Sequence, residues 1–428
     1  MNIRNNKTIR TILSEQKIPK MARVRQKLPD TTLPDIPAAV RQALNRPEII
    51  GAVKPDMYIA ITAGSRGIEG MDIMLQETVH FVKALGGKPF LIPAMGSHGG
   101  AVAEGQAEIL RQYGITEETM GAPIRATMET AYICDLPDGT PVYIDKYAKE
   151  ADGIIVVNRI KPHTGFRGKY ESGLFKIMAI GLGKQYGAQT VHGRGADRMG
   201  ESIELFGNAI LSHANILFGV ATIENALDKP NTIVALTPQE IIDREPAYLN
   251  LARSMMPRIL FDNLDVVVVD YFGKEISGAG VDPNVTHTYK AASNISLEGR
   301  PRQVVVLDLS DGSHGNAHGV GVLDIITQRF VDKIDVGITY ANSLTTGGTE
   351  VPKIPMFMEN QELAIKAAIR SALGADRQKL RMVRIRDTMH LQDIEISEAL
   401  MEEAKHNPNI EVLEAPRELK FDENGQLF

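Results

Sequence analysis

MYIAITAGSRGIEGMDIMLQETVHFVKALGGKPFLIPAMGSHGG, residues 57–100, reads as strand, helix, strand. The apolar run Met57–Thr62 predicts a strand, Glu69–Leu85 places Met71, Met74, Val79 and Val82 on one helical face, and Lys88–Ala94 predicts a second strand. A βαβ unit follows, with its two strands parallel. Each strand then runs into a glycine-containing loop, TAGSRG with Arg66 and MGSHGG with His98. Parallel neighbours bring such loops to one edge of the sheet, the edge at which open α/β sheets bind ligands.

The same alternation extends outward. Gly153–Asn158 and Ile216–Ala221 predict further buried strands, and residues 122–150 predict a strand-rich excursion that turns at Asp138-Gly139. Thr237, Pro238 and Glu240 supply the cap, N1 proline and N3 glutamate of a capping box, so a helix is expected there, broken near Pro246. The pattern restarts after Pro257 with strands Asp265–Asp270 and Gln303–Leu309 and helices Val322–Asp332 and Asn360–Ala372. Unalternating runs such as VVVV suit strands buried on both faces. Before Val53, four prolines break the chain and only Ala38–Leu44 predicts a helix. The expectation is an α/β protein of two α/β domains, 1–256 and 257–428, with mostly parallel or mixed sheets and an active-site cleft between them.

Composition narrows the chemistry. The 428 residues carry a formal net charge of −6, which argues against a nucleic-acid partner and for small molecules. Cys134 is the only cysteine, so intrachain disulfides, thiolate zinc clusters and CxxC redox chemistry are excluded. No run approaches the length of a membrane span, and the basic start lacks an apolar signal core. A cytoplasmic protein with no membrane partner is expected. Sequence leaves homo-oligomerisation open.

Polar chemistry is densest at residues 158–195, NRIKPHTGFRGKYESGLFKIMAIGLGKQYGAQTVHGRG, directly after a predicted buried strand. His163, between Pro162 and Thr164-Gly165, sits on a rigid turn, where it can act as general acid or base or simply cap the turn. Lys176, inside LFKIMAIG, is either a partly desolvated nucleophile and attachment point or an amphipathic lysine reaching water. His192 in TVHGRG and His98 in GSHGG are glycine-flanked, and each reads as a site residue or as a solvated turn histidine. Arg159, Lys161 and Arg194 are candidates for anion binding or for solvated surface. Gly181 and Gly183 do not make a dinucleotide fingerprint, because they follow a helical segment rather than a strand. In the second half, Lys274 in GKEISG could pair with a substrate carboxylate, whereas the glycines around His314 and His318 favour a structural loop.

Together these residues resemble the lactate racemase family: Arg66 in TAGSRG, His98 in MGSHGG, His163 in KPHTGF, Lys176 in GLFK and His192 in TVHG fall in the family's order. The resemblance implies an isomerase, a racemase or epimerase, that inverts C2 of a 2-hydroxy acid by hydride transfer to a nickel-pincer nucleotide. It implies covalent attachment of that cofactor at Lys176, nickel ligation by His192, acid/base roles for His98 and His163, and carboxylate binding by Arg66 and Lys274. It also implies cofactor-biosynthesis proteins as partners. Two departures, Ala63 where the family carries an acidic residue and the added RGKYES between His163 and Lys176, point to a changed pocket and to a substrate such as a sugar acid. Two other readings stay open: a metal-dependent hydrolase or lyase built on His98, His163 and His192, and a non-catalytic anion-binding protein on the same fold.

Overall fold

The computed structural model describes residues 2–65, 67–289 and 294–428. Its strands are β1 (Met21–Gln26), β2 (Tyr58–Ala63), β3 (Lys88–Pro93), β4 (Thr130–Asp135), β5 (Pro141–Asp145), β6 (Gly153–Arg159), β7 (Ile216–Glu224) and β8 (Pro230–Leu236), followed by seven more. Those are β9 (Val266–Phe272), β10 (Gln303–Leu309), β11 (Ile325–Thr327), β12 (Met356–Met358), β13 (Met382–Ile385), β14 (Asp393–Ser397) and β15 (Ile410–Val412). The chain forms two compact units, Asp30–Met256 and Met1–Pro29 with Pro257–Phe428. Both are α/β.

In the unit Asp30–Met256, five strands run in the order β3-β2-β6-β7-β8. The first four are mutually parallel and β8 is antiparallel to β7. Helix Met71–Ala84 makes the crossover between β2 and β3 that the sequence predicts. Side chains alternate between two cores: Ala60, Ile154 and Val156 pack on one face, and Ile59, Ile61, Ile155 and Val157 on the other. Burial on both faces is why these strands read as continuous apolar runs. The excursion is the hairpin β4–β5.

The helix after the capping box spans Pro238–Met255, with both reciprocal cap bonds present. It does not break at Pro246. Proline leaves the carbonyl four residues back without its helical donor, and the Tyr170 hydroxyl donates to that carbonyl, Ile242 O, at 2.8 Å.

The other unit holds an eight-stranded sheet, β12-β11-β10-β9-β13-β14-β1-β15. It is parallel from β12 to β13 and antiparallel beyond. Residues 1–29, expected in the first domain, belong here because β1 pairs with β14 and β15. The helix expected over Val322–Asp332 is strand β11 followed by the short helix Gln328–Asp332, capped by Thr327. Among the described residues, no helix is long and apolar enough to cross a membrane.

Candidate functional site

Because β3, β2 and β6 are adjacent and parallel, the loops that follow them leave from one edge of the sheet. These loops begin at Ala94, Gly64 and Ile160. They carry His98, Ser65 and His163; Arg66 lies outside the described residues.

The His98 loop is fixed from beneath. Gln106, fully buried, donates through Nε2 to Gly96 O at 2.8 Å and to His98 O at 3.2 Å. Its Oε1 accepts from Lys184 Nζ at 3.3 Å, and Lys184 also donates to Pro93 O. Lys184 and Asp145 form an ion pair at 2.7 Å with both side chains inaccessible to solvent. Burial pushes the Asp145 carboxyl up and the Lys184 ammonium down, against their mutual attraction. Gly99 has φ +67°, and a Cβ there would meet Gly105 C at 2.6 Å, so the turn after His98 requires glycine. His98 is exposed above this network, with Nδ1 hydrogen-bonded to the Ser65 hydroxyl.

The His163 loop is closed at its base by paired backbone bonds between Lys161 and Ser172. Inside it Glu171, 1% exposed, accepts the His163 N–H at 2.6 Å and the Gly168 N–H at 3.4 Å. Arg253, from helix Pro238–Met255, and Arg167 pair with the same carboxylate. Arg167 also donates to His163 O at 2.7 Å, and Phe166 lies against the imidazole with ring centroids 4.2 Å apart. Gly165 N–H donates to His163 Nδ1 at 3.0 Å. The added segment RGKYES therefore supplies the groups that hold this histidine.

Lys176 ends the short helix Leu174–Lys176 and is followed by a π-helical stretch, Ile177–Leu182, a form enriched at functional sites. It is half-buried between buried Phe175 and Ile177. Glu245 accepts the Phe175 N–H at 3.2 Å from the start of that helix, and burial raises its carboxyl to about 8. Gly173 leaves room for the Glu245 carboxylate, since a Cβ there would meet Glu245 Oε1 at 2.0 Å and displace it. Asn158, at the end of β6, donates to Gly173 O at 2.8 Å, and Tyr170 stacks on Phe175. Gly96 N–H donates to Gly181 O at 3.3 Å, so the His98 loop rests on the π-helical stretch that Lys176 opens.

His192 is exposed in the last turn of helix Lys184–Gly193, whose first residue is the buried Lys184. One unit thus holds His98 on the loop after β3, His163 on the loop after β6, Lys176 at the start of the π-helical stretch and His192 at the end of helix Lys184–Gly193. Among the described residues, no group of three or more His, Cys, Asp or Glu stands where it could hold a metal ion. A half-buried amine and a single imidazole do fit a cofactor that is tethered covalently and brings most of its metal ligands with it.

The other basic candidates are engaged within the protein. Arg159 pairs with buried Glu224, Lys161 with Asp228 at 3.6 Å, and Arg194 with Asp138, whose carboxyl it helps hold well below the usual range. Ala63 is buried in the apolar core rather than facing the loops. Lys274 belongs to the other unit, where Nζ donates to Gly278 O at 2.6 Å and His318 O at 2.9 Å. His318 is buried, with Nδ1 2.8 Å from the Ser343 hydroxyl, and His314 is exposed.

Residues 6–202 match the family model of the lactate racemase N-terminal domain. This segment is similar to that domain. It contains Arg66, His98, His163, Lys176 and His192. Among solved structures, a Thermotoga maritima protein from a structural genomics programme is 12% identical, with TM-score 0.51 over 85% of this chain and 99% of that one, which shows a shared fold. The lactate racemase apoprotein from Thermoanaerobacterium thermosaccharolyticum is 14% identical, with TM-score 0.44 over 86% of this chain and 84% of that one. No curated protein matches.

Sequence reading missed Ser65, Glu171, Lys184 and Glu245. Of these, only Glu245 leaves a signal: it falls on the buried stripe Ile241, Glu245, Leu249, Ala252, where a carboxylate is out of place.

Proposed function

We propose that this protein is a cytoplasmic racemase or epimerase that inverts C2 of a 2-hydroxy acid, with a nickel-pincer nucleotide attached at Lys176 and its nickel held by His192. The observation that carries this reading is the lactate racemase N-terminal domain match over residues 6–202, which spans all five residues of the first-half pattern. When bound, the cofactor supplies a reversible hydride acceptor. The chain's own residues do the rest.

His98 and His163 stand on different loops, as inversion requires: the substrate hydroxyl loses its proton to one imidazole and regains one from the other. Arg66 is assigned to the substrate carboxylate. A bidentate guanidinium there fixes the plane of the carboxylate and so the direction in which the C2 hydrogen points. A polar substrate such as a sugar acid is the first to try.

The test uses protein produced alongside the cofactor-biosynthesis proteins and offered single enantiomers of lactate, larger 2-hydroxy acids and sugar acids in deuterated water, read by chiral chromatography and mass spectrometry. Nickel-dependent inversion with C2 unlabelled is expected. Rapid deuterium incorporation at C2, or no inversion of any acid, contradicts the proposal.

A further inference from the structure

Among the described residues, His163 is held through its N–H by Glu171, its carbonyl by Arg167, its ring face by Phe166 and its Nδ1 by the Gly165 N–H. The last contact has a direction. An amide N–H can only donate, so Nδ1 presents its lone pair and the neutral ring carries its proton on Nε2.

We infer that His163 rests as a hydrogen-bond donor through Nε2 and that Glu171 is the positioning residue that holds it in this tautomer. The inference rests on the acid/base role proposed for His163. Glu171 is nearly inaccessible and receives two backbone N–H groups of the loop and two guanidinium groups, Arg167 from the loop and Arg253 from helix Pro238–Met255. Through His163 N–H and Gly168 N–H it sets the curvature that puts the Gly165 amide 3.0 Å from Nδ1. Arg253 anchors that carboxylate to a helix outside the loop.

The ring can take a proton at Nε2 only as the other neutral tautomer, with its proton on Nδ1 and the bond from the Gly165 N–H given up. His98 is held differently. A serine hydroxyl both donates and accepts, so Nδ1 keeps its contact with Ser65 in either tautomer. The two histidines therefore start in unequal states, His163 as a hydrogen-bond donor and His98 able to begin as base.

Nitrogen NMR on full-length protein labelled with ¹⁵N-histidine tests this, with His163→Gln identifying the His163 signals. Above its titration midpoint, wild-type His163 is expected to show an unprotonated Nδ1 and a protonated Nε2. In Glu171→Gln those signals are expected to move to a mixture of tautomers while the His98 signals stay in place. A protonated Nδ1 in the wild type overturns the inference without any variant, and so does a Glu171→Gln spectrum with the tautomer unchanged. Neither readout needs cofactor or turnover. Failure to invert any 2-hydroxy acid would remove the proposed function and leave the Glu171–His163 coupling standing.

Discussion

The His98 and His163 loops leave the same sheet edge and are held in opposite ways. Under His98, Gln106 in the helix after the loop is local, but the ion pair beneath it is assembled from far apart in sequence: Asp145 ends β5 and Lys184 opens the helix that ends near His192. Around His163, the described support is mostly local, with Glu171 and Arg167 inside the loop and Arg253 brought from elsewhere. A loop tied to a buried ion pair is expected to lose stability when that pair is cut. A loop tied by its own residues is expected to lose order while the fold persists.

The largest effect should follow from cutting the support of the His98 loop. Lys184→Met leaves Asp145 buried and unpaired, and breaking a buried pair costs about 3–5 kcal/mol. Urea denaturation should show this, and Lys184→Met/Asp145→Asn should recover part of it. A Lys184→Met protein as stable as wild type would break the contrast.

Next comes Glu245, which serves neither histidine and caps the Lys176 helix. Its carboxyl titrates near 8 in the fold against 4.5 for the ordinary group. As pH rises between those values the unfolded chain gives up this proton first, so stability is fullest below about 4.5 and falls until about 8. The slope is roughly 1.4 kcal/mol per pH unit. Glu245→Gln should remove this component, which denaturation midpoints measured from pH 5 to 8 will show.

Glu171→Gln should be milder in stability, about 1–3 kcal/mol for a buried group that loses charged hydrogen bonds. It should nevertheless slow turnover of the loaded enzyme tenfold or more while His98→Ala and His163→Ala mark the floor. If the same variant lowered stability as far as Lys184→Met, the two loops would not differ in kind. Smallest is Tyr170→Phe, which keeps the stack on Phe175 and frees only Ile242 O. It should lower stability by about 1 kcal/mol.

Much of the scaffold was legible because it depends on local periodicity. The β2–helix–β3 unit, β6, β7, the β4–β5 hairpin and the Thr237 capping box stand where apolar spacing and cap chemistry put them. Features set by distant partners were not. β1 is a strand because β14 and β15 flank it, Pro246 stays helical because Tyr170 reaches Ile242 O, and residues 325–327 are extended because β10 and β12 pair with them. The same division runs through the site. His98, His163, Lys176 and His192 were marked by glycine-flanked or apolar settings, whereas Lys184 reads as an ordinary surface lysine until positive φ at that residue turns it inward.

The proposed function is tested most directly at Lys176, by intact and peptide mass spectrometry of protein produced with the cofactor-biosynthesis proteins and nickel. A mass increase confined to the Lys176 peptide, with nickel retained in the wild type and lost in His192→Ala, is the expected result; an unmodified Lys176 with no nickel bound would contradict it.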